Sequence, residues 1–145
     1  MSQFVAPHSI TALMIYALWA IVLVLALAVV RTSMVLRGRA KANSFTAGIP
    51  HGGDTYWRLN RAHLNTLENL PIFAAIVLCG WVVGMESATF NRLAVIVVVA
   101  RIVQSSFHLV SGSVVAVTLR FAAFAVQVAC ELWMAVLVLR AGGVF

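Results

Sequence analysis

Two short sets of polar side chains carry the chemistry that this chain can do. Arg58, Arg61, Asn65 and Glu68 follow one another at intervals of three, four and three residues. On a helix that spacing puts all four on one face. Arg101, Gln104, Ser105 and His108 form a second such stripe. Arginines at these positions suit carboxylates, which a planar guanidinium holds through two parallel hydrogen bonds. A glutamate among them suits an ammonium. Two readings are open: an ion pair that only fixes how helices stack, or the lining of a polar cavity.

The elements that must position these stripes are almost entirely apolar. Of the 145 residues, 63% are hydrophobic and 10% charged, with a mean hydropathy of +1.02. An ordinary globular domain carries about 25% charged residues, so this chain lacks the material for a water-facing surface. A membrane is the solvent that such a composition requires. Apolar runs cover about 10–30, 62–84, 93–110 and 121–139. Each is close to the ~20 residues that cross a bilayer, and an isolated strand in lipid would leave its backbone unpaired. The expectation is an all-α, integral membrane four-helix bundle. Residues 1–145 form one domain with helices at about 10–37, 56–84, 90–111 and 116–140. The first run lacks a basic leader and is long for a cleaved signal, so it is expected to stay as a helix.

The net charge of +6 is concentrated: Arg31, Arg37, Arg39, Lys41, Arg58 and Arg61 lie in or beside the first connection. The segment 31–61 is therefore expected in the cytoplasm, with both termini on the opposite side. Nucleic acid is excluded as a partner, because no soluble basic face exists to hold it. Gly48, Pro50, Gly52 and Gly53 mark an irregular stretch in that connection. Cys79 and Cys130 sit singly in apolar runs and read as small buried hydrophobes. His8, His51, His63 and His108 show no metal-ligand spacing, and no metal site is expected. His63 falls off the main stripe of its helix and reads as an interfacial, solvated side chain.

An arginine at mid-helix costs ~3 kcal/mol on insertion scales. The two stripes should therefore face each other or a wet cavity, with Glu68 the nearest sensible partner for Arg101. Pro71 lacks an N–H and crowds the Leu67 carbonyl, so a bend is expected there. Glu131 is a second intramembrane carboxylate, with Gln127 one turn before it on the same face. Contact with Arg101, with another subunit, or a simple hydrogen bond between helices are all open to it.

The stretch RAHLNTLENLPIF closely resembles the second-helix signature of the MAPEG family, membrane-associated proteins in eicosanoid and glutathione metabolism, above all as it occurs in microsomal glutathione transferases. KANSF after the first run resembles the family's first loop, and ARIVQSSFHL its third helix. The resemblance implies a homotrimer with a glutathione site between adjacent subunits, near the cytoplasmic side. It implies that Arg61, Asn65 and Glu68 contact glutathione and that Arg101 supports the pocket, with Arg58 a further candidate for a carboxylate. It gives Arg120 the catalytic role of stabilising the thiolate. Arg31 or Arg37 stands for a first-helix arginine. His108 is counted with the glutathione-binding residues, although it occupies a place where many catalytic members have tyrosine, and the segment 109–119 is longer than in the members most resembled. The implied function is glutathione transfer to an apolar electrophile or a lipid hydroperoxide, with glutathione as co-substrate and membrane lipid as surroundings. The alternative is a non-catalytic trimer that binds lipid or scaffolds a membrane partner.

The topology is directly testable. Reporter fusions at Gly53 and at the C-terminus should report opposite sides of the membrane. The same side from both would mean an even number of crossings between them.

Overall fold

The computed structural model describes residues 7–46, 53–85 and 87–144. They form α1 (His8–Leu36), α2 (Asp54–Val82), α3 (Ala88–Val110) and α4 (Val114–Ala141), with no strand among the described residues. Most of the irregular stretch at Gly48, Pro50 and Gly52, the His51 side chain and both chain ends lie outside the described residues.

Length and composition explain why helices form. α1 has 29 residues, which at 1.5 Å per residue reach about 43 Å. α3, with 23 residues, reaches about 34 Å, still longer than the ~30 Å hydrocarbon core. All four are long and apolar enough to cross a membrane. Local signals set the ends. Ser87 caps α3 by accepting from the Phe90 amide at 3.4 Å, and Ser113 caps α4 by accepting from the Ala116 amide at 3.3 Å. α2 closes at Gly84, whose φ of 68° is open to glycine. There the Met85 amide donates to the Gly80 carbonyl and the Gly84 amide to that of Trp81, a Schellman ending. α2 runs without a break through Pro71.

The helices alternate in direction, and α3 touches each of the other three, whereas α1 and α4 do not meet. The main core joins Ala12 and Tyr16 of α1, Phe73 and Val77 of α2, Phe90, Ala94 and Val97 of α3, and Met134 of α4. A second cluster, Leu23, Leu27, Tyr56 and Leu59, ties α1 to α2 at the end that bears the first connection. Outward faces are apolar too: Leu25, Val29, Val82, Phe121 and Trp133 are all exposed. Such a surface suits hydrocarbon and not water. Cys79 lies on this outer face and Cys130 is half-buried, both unpaired. The expectation of two buried cysteines thus fails for Cys79, because α2 turns Phe73, Val77 and Gly80 inward and leaves Cys79 outside.

Gly80 is where α2 comes nearest to the α3–α4 pair. A Cβ there would stand 2.7 Å from the end of the Phe90 ring and 3.4 Å from Val138. Phe90 is 0% exposed and has no free space to swing into. Small residues commonly permit such close approach between membrane helices. Gly80→Ala should therefore lower stability by roughly 1–3 kcal/mol, the usual cost of overpacking. Thermal melting in mild detergent measures it, and adding Phe90→Leu should recover part of the loss. An unshifted melting point for Gly80→Ala would show that this contact is slack.

Candidate functional site

Thr66 makes the first link between the site and the core. Its hydroxyl donates to the Ala62 carbonyl at 2.8 Å and lies 3.4 Å from that of Ser105, so α2 and α3 meet through polar atoms here. The Tyr16 hydroxyl donates to the Thr66 carbonyl at 3.2 Å, bringing in α1. With Thr66 turned inward, Arg61 and Glu68 are turned outward and are exposed, and Asn65 is half-buried.

Beside this contact a cavity of about 400 Å³ opens between three helices. α2 supplies Arg61, Asn65, Glu68 and Asn69; α3 supplies Arg101, Gln104 and His108; α4 supplies Val117, Arg120, Phe121 and Phe124. Its rim at His108 and Val117 lies within one turn of the α3–α4 turn, at the end of the bundle that bears the first connection. Of the residues expected from the sequence, Arg61, Asn65, Glu68, Arg101, His108 and Arg120 come together here. Arg58 does not: it is half-buried one turn away, with Nη2 3.5 Å from the Thr55 hydroxyl. Arg31 is held elsewhere, donating from Nε to the Tyr56 hydroxyl at 2.8 Å with its guanidinium over the Phe45 ring. Arg37 is exposed at the end of α1, and His63 does not line the cavity.

His108 is bonded from two helices. Arg120 Nη1 lies 2.8 Å from its Nδ1, and Asn65 Nδ2 lies 3.3 Å from its Nε2. A guanidinium can only donate, so Nδ1 must accept and carries no proton. The ring proton then sits on Nε2, and the Asn65 amide meets it through its oxygen once the amide is turned over. Such a turn is a matter of assignment, because amide oxygen and nitrogen are near-equivalent in shape.

Arg101 is 1% exposed. Its guanidinium carbon lies 5.8 Å from the centre of the Tyr16 ring, while Nε and Nη2 are buried with no hydrogen-bond partner among the described residues. The expected pairing with Glu68 does not form. Glu68 is exposed, whereas Arg101 is buried against the Tyr16 ring. Spacing along α2 determines which side chains share a face. It does not determine the direction in which helix association turns that face. Glu131 is itself buried and accepts a 2.8 Å hydrogen bond from Gln127 Nε2.

Sequence reasoning passed over Tyr16, whose phenol is the polar atom of α1 nearest to Arg101. A hydroxyl in an otherwise apolar run was the available signal. It also passed over Val117, Phe121 and Phe124, although their spacing of four and three marks one face of α4.

A model of the MAPEG family matches residues 9–140. The chain belongs to the MAPEG family. No curated protein matches it. Together with the four apolar helices, membership makes it an integral, multi-pass membrane protein with lipid around its outer faces. MAPEG proteins are associated with glutathione and eicosanoid metabolism.

In this MAPEG protein the buried cation and the buried carboxylate should depend on each other. Arg101→Met removes the cation and leaves Glu131 uncompensated, a loss of roughly 1–3 kcal/mol. Adding Glu131→Gln should restore part of it, with a coupling of about 0.5–3 kcal/mol in the double-mutant cycle. Detergent melting of the four forms checks this. Strict additivity would mean that the two groups do not sense each other.

Proposed function

We propose that this MAPEG protein is a membrane glutathione transferase. It binds glutathione as co-substrate in the cavity between α2, α3 and α4 and directs its thiolate at an apolar electrophile or a lipid hydroperoxide drawn from the bilayer. One observation carries the reading: Arg61, Arg101 and Arg120 line the same cavity as Glu68 and Asn65. Glutathione has two carboxylates, one ammonium and a thiol, and this donor set complements it group by group. The cavity volume of about 400 Å³ falls within the ~300–1,000 Å³ of small-molecule sites.

The chemistry follows from charge. A free thiol has a pKa near ~8.5, so a fixed cation beside the sulfur raises its thiolate fraction at neutral pH. Arg120 is assigned that role. Arg61 holds a carboxylate, Arg101 supports the pocket with its buried positive charge, and Glu68 holds the ammonium. The thiol proton leaves to water and the thiolate sulfur forms a bond to the electrophilic carbon, whose leaving group departs with the bonding pair. With a hydroperoxide the sulfur takes the terminal oxygen, the alkoxide leaves and is protonated, and a second glutathione turns the sulfenic acid into disulfide and water. Phe121 and Phe124 on the same wall offer apolar surface for that electrophile.

Arg61 and Glu68 are exposed on a membrane-spanning helix. Charges there are costly against lipid, which supports a homotrimer in which a neighbouring subunit covers this face and completes the site. Arg58, and Arg31 or Arg37, would then be available to an adjacent subunit's cavity. The basic first connection supports a cytoplasmic position for this end of the bundle, with both termini opposite. Native mass spectrometry in mild detergent should show trimers; monomers alone from folded protein would remove the intersubunit site.

One feature favours a non-catalytic, lipid-binding or scaffolding trimer instead: Arg120 already spends a donor on His108. Turnover separates the two readings. Arg120→Ala should slow conjugation of an apolar electrophile by one to two orders of magnitude, about 1.4–2.8 kcal/mol in barrier. The ultraviolet absorbance of bound thiolate should fall with it, while the dissociation constant for glutathione changes little. Glu68→Gln should do the reverse, weakening binding more than turnover at saturation. If the unmodified protein shows neither thiolate nor turnover, the non-catalytic reading replaces this one.

A further inference from the structure

His108 is half-buried, lines the cavity and has a protein partner on each ring nitrogen. A residue whose polar atoms are both engaged by its own protein has little left for a ligand. Its contact with Arg120 crosses from the last turns of α3 to the first turns of α4, only 12 residues away along the chain. Arg120 has no carboxylate partner among the described residues; the His108 ring is its hydrogen-bonded anchor.

The chemical type of that anchor matters. A carboxylate would hold a guanidinium just as firmly, but it would also cancel the positive charge. A neutral imidazole nitrogen holds the same group through one N–H and leaves the charge whole. Four of the five guanidinium N–H donors remain for other acceptors. Asn65 completes the device from α2. With its amide turned so that the oxygen meets Nε2, it accepts the ring proton's hydrogen bond there and keeps Nδ1 open for Arg120. Arg61 on α2, Arg101 on α3 and Arg120 on α4 line the cavity with the ring, and Glu68 is the one carboxylate in that lining.

We infer that His108 is a positioning residue: as a neutral acceptor, with its tautomer held by Asn65, it aims the Arg120 guanidinium into the cavity without neutralising it. The catalytic consequence rests on the glutathione transferase reading above. The arrangement of the pair does not. On this inference His108 is not a glutathione ligand, although it lines the same cavity.

Isosteric substitutions separate the two ring nitrogens. The amide of His108→Asn places an acceptor near the Nδ1 position, and that of His108→Gln near the Nε2 position. Their comparison is made on full-length protein in detergent, with ¹⁵N-histidine spectra, glutathione dissociation constants, thiolate absorbance and turnover. In the unliganded protein the His108 signals should show an unprotonated Nδ1 and a protonated Nε2. Arg120→Ala should move the Nδ1 signal and leave the ring folded in place. His108→Gln should lose about tenfold or more in turnover, with thiolate absorbance falling in parallel and glutathione affinity nearly constant. His108→Asn should recover most of that loss, to within about threefold of the unmodified protein.

A ring protonated on Nδ1 would overturn the inference whatever the activity. So would equal losses in His108→Gln and His108→Asn when both melt like the unmodified protein. A large loss of glutathione affinity with turnover at saturation intact would make His108 a ligand and overturn it too. If the ring shows the expected state and responds to Arg120→Ala, but the unmodified protein forms no thiolate, the pairing stands and the transferase reading falls.

Discussion

A guanidinium at mid-membrane is the constraint on which the rest of this structure depends. Arg101 is almost fully buried in a helix whose outer face meets lipid. Such a charge costs several kcal/mol unless polar groups surround it. Every helix buries a polar group: α1 the Tyr16 hydroxyl, α2 Thr66, α3 Gln104 and Ser105, and α4 Gln127 and Glu131, with the Tyr16 ring centre 5.8 Å from the guanidinium carbon. Helices that must each bury a polar group have little freedom to rotate about their own axes.

That restriction propagates to the cavity. Once Thr66 faces the Ser105 hydroxyl and the Tyr16 hydroxyl holds the Thr66 carbonyl, the orientation of α2 is settled. Residues one and two turns away then take their directions from helical geometry. Asn65 reaches the His108 ring, and Arg61 and Glu68 turn outward. The site is thus an extension of the buried polar cluster toward one end of the bundle, with Arg101 and Gln104 belonging to both. Apolar contacts alone would hold the helices together without specifying this rotation, because lipid tails are as apolar as the side chains of the core.

The cavity is also electrostatically one-sided. Three arginines line it against a single glutamate, and His108 engages one of those arginines without contributing a negative charge. In a low dielectric such an excess of fixed cations acts strongly on any anion that enters. A structural ion-pair network would instead balance its charges internally. This imbalance weighs toward binding an anionic ligand and against a purely structural staple.

Much of this was legible in the chain itself. Hydropathy marks four membrane helices because burial in lipid is a property of consecutive residues. Spacing groups Arg61, Asn65 and Glu68 on one face, and Arg101, Gln104 and His108 on another, because helical periodicity is local. The same logic also included Arg58, which stands one turn outside the cavity, since a stripe has no intrinsic end. Tertiary structure decided the partners. It set the Tyr16 ring, and not Glu68, beside the Arg101 guanidinium, and it put the His108 ring between Asn65 and Arg120. Periodicity defines the angle between side chains on one helix, but the rotation of that helix against its neighbours is fixed by contacts between residues far apart in the chain, such as Tyr16 with the Thr66 carbonyl and Thr66 with Ser105.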